Sequence, residues 1–212
     1  MNYPAPTIHI VDDDQSCRKS LARLLTVAGF EARTYASAAE FLLARVNATP
    51  GCIILDIRMP GLNGLDLHES LAMQDEPLPV IFLTGHGDIV TSVRAMKAGA
   101  IDFLTKPVKR DTLLNTVRNA LARDAETRVI REQLSRWRQY FNALTPRERQ
   151  VFDGVVAGKP NKQIALDLGA SERTVKAHRA HVMAKMHAGS LADLIHTAEQ
   201  LQRAHSPQTL RH

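Results

Sequence analysis

The sequence predicts an α/β domain with a doubly wound, parallel, five-stranded sheet, followed by an all-α domain of four helices with a helix-turn-helix. Short apolar runs alternate with helical patterns over residues 1–120, and this alternation is typical of parallel strands joined by right-handed crossovers. Beyond residue 142, only helical patterns follow. The charge divides in the same way, because residues 1–123 are balanced and residues 124–212 carry the whole net charge of +5. A neutral half joined to a basic half indicates that the second half meets a polyanion.

The five predicted strands are short, and several are apolar or β-branched enough to be buried on both faces. They cover residues 7–11, 31–35, 52–56, 79–84 and 101–106, and the predicted helices cover 15–28, 37–47, 63–73, 87–98 and 109 onward. Ser37 and Glu40 have the spacing of a capping box at the start of the second helix. No residue of the second strand belongs to the set of candidate site residues given below, as expected if that strand lies at an edge of the sheet.

One apolar run, Cys52 to Leu55, ends on an acid and then breaks at Pro60-Gly61. Burying an ionised carboxylate away from water without a partner costs free energy, so Asp56 is expected to have a metal or a lysine as its partner. Sheets of this kind bind ligands at the carboxyl ends of their strands. The ends of the first, third, fourth and fifth strands supply Asp12, Asp13, Asp14, Asp56, Thr84 and Lys106.

The chemistry of this set indicates phosphoryl transfer to an aspartate. Clustered carboxylates call for a hard cation, and Mg²⁺ suits a site with few carboxylates and several waters beside phosphate. Asp56 can act as a nucleophile and carry the phosphoryl group. Mg²⁺ and Lys106 would neutralise the phosphoryl oxygens, and Thr84 would donate to one of them. Taken singly, each residue also has an ordinary structural explanation as a helix cap, a surface lysine or a turn former.

The phrases VDDD, LDIRMPGLNG, LTGHGD and FLTKP, in this order and spacing, resemble the receiver domain of bacterial two-component response regulators over about residues 5–122. The resemblance implies a sheet order of 2-1-3-4-5. It implies that Asp13, Asp56 and the backbone carbonyl of Arg58 ligate Mg²⁺, while Asp12 acts mainly through water. It also implies a switch pair of Thr84 and Phe103, although an aromatic residue in a fifth strand is as readily explained as core.

Residues 109–141 contain neither Pro nor Gly and predict one long helix. Its first apolar stripe fits a face packed on the first domain and comprises Leu113, Val117 and Leu121. A second stripe comprises Ile130, Leu134, Trp137 and Phe141. That stripe either packs on the second domain or pairs with its twin in a dimer, and the sequence leaves both open. The predicted limits are a receiver at 1–122, a helical linker at 123–141 and a second, all-α domain at 142–212.

Four helix starts are visible in the second half. The first is TPRE, with Thr145 as N-cap, proline at the first helical position and a glutamate closing the capping box. NKQIALDL begins at Asn161 and ends at Gly169, the next helix starts at Ser171, and SLAD forms another capping box from Ser190. Two helices joined by a short turn at Gly169 predict a helix-turn-helix.

The helix from Ser171 separates into two faces at about 100° per residue. The predicted core face comprises Val175, His178, Val182 and Met186. The opposite face comprises Arg173, Lys176, Ala177, Ala180 and Ala184, and its alanines leave room for close approach to base edges. Arg179 lies on one flank, with His181 and Lys185 on the other, where we expect phosphate contacts. The alternative is an ordinary surface helix with scattered charges.

LTPRE, NKQIA and RTVKAH resemble the LuxR-type output domain of NarL/FixJ-class regulators over about residues 142–201, and LTGHGD with FLTKP favours the FixJ side of that class. The resemblance implies that Lys162 contacts phosphate and that Lys176 with its neighbours reads DNA. We therefore expect a transcriptional response regulator, not an enzyme. Its expected partners are a sensor histidine kinase, double-stranded promoter DNA and a second copy of the chain on phosphorylation, with RNA polymerase as a candidate.

Other classes fit less well. A hydrolase of the haloacid dehalogenase kind requires a second aspartate two residues after the nucleophile, where this chain has Arg58. An inactive receiver is disfavoured because every expected pocket residue is present. No run approaches the ~18 apolar residues of a membrane span, and no export signal is visible. Cys17 and Cys52 are expected to be reduced thiols in a cytoplasm.

Overall fold

The computed structural model describes residues 4–44, 49–73, 77–85 and 89–204, and it describes residues 89–92 by their backbone alone. The chain divides into two compact units between Arg128 and Val129. Each unit is described by itself below. Within the described part of the chain, no helix combines the length and the apolar character needed to cross a membrane.

The first unit is built on a five-stranded parallel sheet with the order β2-β1-β3-β4-β5, as the sequence predicts. The strands are β1 (Thr7–Val11), β2 (Glu31–Tyr35), β3 (Gly51–Asp56), β4 (Val80–Thr84) and β5 (Asp102–Thr105). The helices of this unit are α1 (Gln15–Val27), α2 (Ala38–Leu43), α3 (Gly64–Leu71), α4 (Ile89–Lys97) and the first part of α5 (Arg110–Asn142). Strand β2 lies at an edge of the sheet, as expected.

Successive residues of each central strand enter two different cores, because side chains alternate across a sheet. In β3, Ile53 and Leu55 belong to the core under α2 and α3, whereas Cys52 and Ile54 belong to the core under α1 and α5. The predicted stripe at the start of α5 does pack on this domain, and it begins with Leu113. The sheet is therefore covered on both faces, which leaves its carboxyl edge as the natural place for a site.

The helix limits differ from prediction mainly at the ends of α2 and α4. The predicted helix 37–47 ends at Leu43, and its residues 45–47 lie outside the described residues, as do residues 87 and 88 of the predicted helix 87–98. The capping box of α2 also differs in detail. Ser37 Oγ accepts from Glu40 N at 3.1 Å, but the Glu40 carboxylate accepts from Ala36 N rather than from the N-cap itself.

The described part of the second unit contains four further helices, which confirms the four predicted starts. They are α6 (Pro146–Val156), α7 (Asn161–Leu168), α8 (Glu172–Lys185) and α9 (Leu191–Arg203). Trp137 and Phe141, at the end of α5, pack against their core. This part of the second stripe therefore packs within its own unit, whereas Ile130 is 59% exposed.

Candidate functional site

Two carboxylates and one lysine meet at the carboxyl edge of the sheet. Asp12 follows β1, Asp56 ends β3 and Lys106 follows β5. The ammonium of Lys106 lies 2.6 Å from Asp12 Oδ2 and 2.9 Å from Asp56 Oδ2. Both carboxylates are buried, with Asp12 1% and Asp56 7% exposed. The predicted lysine partner of Asp56 is present, and Asp12 shares it.

The three consecutive acids after β1 have different roles. Asp14 is the N-cap of α1, where its side chain accepts from Ser16 N at 2.8 Å and from Cys17 N at 3.3 Å. Asp12 Oδ1 accepts from Asp14 N at 2.9 Å, so the turn fixes the buried carboxylate. Asp13 is exposed. Asp14 therefore serves the helix, whereas its two neighbours remain available to a ligand.

The titration of the pocket reflects its crowding. Burial raises the pKa of the Asp56 carboxyl, and the hydrogen bond from Lys106 only partly opposes that rise. Burial alone would lower the pKa of Lys106, but its hydrogen bonds to Asp12 and Asp56 outweigh this effect and raise it. Burial and the Asp12 carboxylate raise the pKa of the Cys17 thiol to about 12, so this thiol stays protonated beside the acids.

The donor set fits a hard divalent cation. One carboxylate oxygen each from Asp12, Asp13 and Asp56 lies within 4.8 Å of the others. When ionised, three carboxylates and one ammonium leave two negative charges unbalanced, which a divalent cation would cancel. Oxygen-only ligands suit Mg²⁺. Arg58 N donates to Asp56 Oδ1 at a long 3.4 Å, so the Arg58 backbone lies beside the acceptor.

The predicted switch residues occupy the neighbouring strands. Thr84 ends β4 and is 2% exposed, and its backbone carbonyl accepts from Lys106 N at 2.7 Å. Phe103 pairs with Phe82 across β4 and β5, and it packs half-buried against the core under α2 and α3. Thr84 therefore lies beside the lysine that holds the acids, and Phe103 lies on the strand that leads to this lysine.

In the second unit, α8 has the two faces that its sequence predicts. Val175 and Val182 are fully buried, Met186 at its C-terminus is buried, and His178 is half-buried. The opposite residues are all exposed, namely Arg173, Lys176, Ala177, Ala180 and Ala184. Lys162 on α7 is exposed as well. This surface combines cations with small side chains, which suits entry into a DNA groove.

The turn between α7 and α8 depends on glycine. Gly169 adopts a left-handed conformation with φ +60° and closes α7, a position that favours glycine over residues with a Cβ. A Cβ on Gly154 in α6 would lie 2.9 Å from Ile164 Cγ1, so α6 and α7 pack at close range. Arg179 Nη1 donates to Asn161 Oδ1 at 3.1 Å and ties α8 to the start of α7.

Sequence-based prediction missed the tertiary contacts of two buried carboxylates. Asp124 on α5 is 4% exposed, accepts from Gly51 N at 3.0 Å and pairs with Arg128 at 2.8 Å, so it anchors the helix to the start of β3. Glu148 was predicted only as part of a capping box. Its carboxylate also binds Lys185 at 2.7 Å, so this lysine has an intramolecular partner that the sequence did not indicate.

Comparisons with known proteins match both units. A family model of the response regulator receiver domain matches residues 8–118, and a model of the luxR family of bacterial regulatory proteins matches residues 142–198. The chain is 44% identical over 204 residues to Nodulation protein W of Bradyrhizobium diazoefficiens, covering 95% of this chain and 90% of that protein. It is 44% identical over 191 residues to transcriptional regulatory protein FixJ of Azorhizobium caulinodans, covering 90% of each. Its fold is similar to the solved structure of response regulator StyR, with a TM-score of 0.82 and 46% identity over 93% of this chain and 100% of that one.

Proposed function

Because the chain belongs to the response regulators that join a receiver domain to a LuxR-type DNA-binding domain, we propose that it takes a phosphoryl group on Asp56 and thereby controls its own dimerisation and binding to promoter DNA. A sensor histidine kinase would supply the phosphoryl group. The observation that carries the proposal is the ammonium of Lys106 bound between the buried carboxylates of Asp12 and Asp56. We assign the chain no catalytic turnover of its own.

The transfer step needs a nucleophile and neutralising charge. An Asp56 oxygen attacks the phosphorus of the donor, a new O–P bond forms, and the bond from phosphorus to the donor's leaving atom breaks. Lys106 is placed to donate to a phosphoryl oxygen of Asp56. Mg²⁺ would be held by Asp12, Asp13, Asp56 and the Arg58 carbonyl, and when bound it supplies positive charge against the phosphoryl oxygens.

The signal would pass through the switch pair. The Thr84 hydroxyl would move towards the phosphoryl group, and Phe103 would follow because it lies on the adjacent strand. The surface formed by α4 and β5 would then change, and we propose that this surface pairs two phosphorylated receivers. Domains at 1–122 and 142–212, with a linker at 123–141, would correspond to the sensing, output and connecting parts.

On DNA, the exposed face of α8 would enter the major groove. Lys176 is the proposed contact to a base edge, Ala177 and Ala180 allow the close approach, and Arg173 flanks them. Lys162 and Arg179 are proposed to contact phosphate, since Arg179 keeps further N–H groups after bonding Asn161. Both steps belong in the bacterial cytoplasm, where the promoter lies, and RNA polymerase is the further candidate partner.

The test is incubation with acetyl phosphate and Mg²⁺, followed on a phosphate-affinity gel. We expect the wild-type protein to shift and to release acetate, and Asp56→Asn to remain unshifted because the amide is not a nucleophile. Asp14→Asn is the matched control, since Asp14 caps α1 and an asparagine caps equally well. Undiminished labelling of Asp56→Asn would exclude Asp56 as the acceptor.

Dimerisation and DNA binding are tested on the same samples. Light scattering at micromolar concentration should detect dimers after phosphorylation. Monomers in both the phosphorylated and the unphosphorylated sample would contradict the proposal that phosphorylation controls dimerisation. A duplex enriched from a random-sequence pool by the wild-type protein should bind more tightly after phosphorylation. The enriched duplex also serves as the specific probe for every DNA measurement below.

A further inference from the structure

The Glu148 carboxylate joins the start of one helix to the end of another. Its Oε2 accepts from Thr145 N at 2.8 Å, which closes the capping box of α6, and from Lys185 Nζ at 2.7 Å, the last residue of α8. His181 Nδ1 lies 3.8 Å from Oε1. Lys185 Nζ also donates to the carbonyl of Ala143 at 3.4 Å. The ammonium is therefore held at the N-terminal end of α6 by two acceptors.

This contact has a counterpart on the other side of α8. Arg179 ties the middle of α8 to Asn161 at the start of α7, whereas Lys185 ties its end to α6. Between these polar contacts, Val175 and Val182 pack in the core. Core packing fixes which face of a helix is buried, but polar contacts at defined atoms also fix how the helix is tilted and rotated on that core.

We propose that Glu148 and Lys185 form a clasp that positions the DNA-reading face of α8, and that Lys185 acts through Glu148 and not by contacting phosphate. This inference rests on the proposed DNA-binding function and refines it. It replaces the expectation that the flank position of Lys185 makes it a phosphate contact. Glu148 and Lys185 are positioning residues, because neither needs to touch DNA for its effect.

The environments of the two lysines explain the different assignment. The Glu148 side chain is 5% exposed, so withdrawal of the Lys185 ammonium to a phosphate would leave a buried carboxylate without its cation. Lys162 is exposed on α7 and can reach a phosphate without leaving a buried carboxylate behind. A phosphate contact by Lys162 therefore costs less than one by Lys185.

The salt dependence of binding separates the two roles. Each lost phosphate contact flattens the plot of log affinity against log salt by roughly 0.9. On a random-sequence duplex, Lys162→Met should flatten the slope by that amount, whereas Lys185→Met should leave the slope unchanged. Lys19→Met, on the exposed surface of α1, is the matched control for loss of one positive charge and should change neither slope nor affinity.

The ratio of the affinities for the enriched and the random-sequence duplex distinguishes a positioning role from a loss of stability alone. A loss of stability alone lowers the active fraction, and so it lowers binding to the enriched and the random-sequence duplex by the same factor. A misplaced α8 loses base contacts first, so Lys185→Met should reduce the ratio of the two affinities about tenfold, within the range of one lost base contact. Glu148→Gln should reduce the ratio similarly, and the double variant should cost no more than the worse single one.

A slope flattened by roughly 0.9 in Lys185→Met with an unchanged affinity ratio would overturn the clasp and restore the phosphate contact. An unchanged ratio in Glu148→Gln would overturn it as well. If Lys185→Met does not fold, Lys185→Gln replaces it in the salt titration, because its amide can still donate to Glu148 although the charge is lost; its slope should stay unchanged, and a slope flattened by roughly 0.9 would overturn the clasp. If the wild-type protein binds neither duplex, the proposed DNA-binding function fails whether or not the clasp exists. The clasp is then tested by urea unfolding, in which the free-energy losses of the two single variants should not add in the double variant.

Discussion

Each unit of the molecule contains a lysine bound to a buried carboxylate at nearly the same distance, yet the two pairs behave in opposite ways. Lys106 lies 2.6 and 2.9 Å from Asp12 and Asp56, and Lys185 lies 2.7 Å from Glu148. Burial raises the pKa of Asp56. In contrast, the hydrogen bonds from Lys185 and from the Thr145 backbone lower the pKa of Glu148 to about 2.

Burial opposes ionisation of both carboxylates, and the number of partners determines how far that effect is compensated. In the first unit, one ammonium serves two buried carboxylates, and a third carboxylate lies close by. In the second unit, one carboxylate receives both an ammonium and a backbone N–H. A surplus of negative charge makes the first site suitable for a cation, whereas the carboxylate of the second is already neutralised by its partners. In this molecule, the carboxylate–lysine cluster whose charges do not balance is the candidate ligand site.

The largest expected effect comes from removing the cation of the first pair. Lys106→Met should slow phosphorylation by acetyl phosphate and Mg²⁺ about 100- to 1,000-fold, the usual cost of losing one donor to a developing charge. The matched change in the second unit, Lys185→Met, should leave the rate unaltered. Rates are measured from time courses on phosphate-affinity gels. An equal fall in the phosphorylation rate of both variants would show that the two lysines do not differ in function.

A bulky acid on the outward face of α8 should have the next largest effect. Ala180→Glu places a negative charge at an exposed position opposite the core face, so it should repel phosphate and block groove entry while the fold stays intact. We expect at least about a tenfold loss of affinity for the enriched duplex, equal to one base contact. Normal binding would mean that a different face of α8 meets DNA, and circular dichroism checks the fold.

A smaller and more selective loss is expected at the proposed base contact. Lys176→Ala should cost about 1–3 kcal/mol on the enriched duplex and relax preference at one base-pair position. Selection from a random-sequence pool with the variant measures that preference. A uniform loss over all sequences would instead make Lys176 a phosphate contact like Lys162.

The pH dependence of the second unit should combine a contribution from Asp167, whose pKa the hydrogen bond from Lys159 lowers, with one from Glu148. Because the folded pKa of Glu148 is about 2, below the ordinary value of 4.5, its stabilisation is complete above pH 4.5 and is lost as the pH falls towards 2. Trp137 is the one tryptophan of the sequence and packs on this unit's core, so its fluorescence follows the unfolding of that unit. In Glu148→Gln, the stability of the second unit should depend less on pH in that window. A profile identical to that of the wild-type protein would contradict the stabilising contact between Glu148 and Lys185.

The sequence predicted the acid pocket well because parallel strands bring their carboxyl ends to one edge. Once the strands ending near Asp12 and Asp56 were recognised, their proximity followed from topology alone. The clasp was not predictable in this way, since contact between Glu148 and Lys185 depends on how α6 and α8 cross. Asp124 was missed for a similar reason, because its partner Gly51 lies 73 residues away and carries no side chain to signal the contact.

The most direct test replaces one carboxylate of each pair by its amide and measures the stability of each unit in urea without Mg²⁺. Alkylation of buried Cys52 follows the first unit, and Trp137 fluorescence follows the second. Asp56→Asn should stabilise the first unit by about 1 kcal/mol, because it removes a negative charge whose burial and repulsion from Asp12 outweigh its attraction to Lys106. Glu148→Gln should destabilise the second unit, and added Mg²⁺ should stabilise only a first unit that retains Asp56. If both substitutions destabilised their units and Mg²⁺ had no effect, the account would be contradicted, because it assigns a ligand site to the Asp56 pocket and a purely structural role to the Glu148–Lys185 pair.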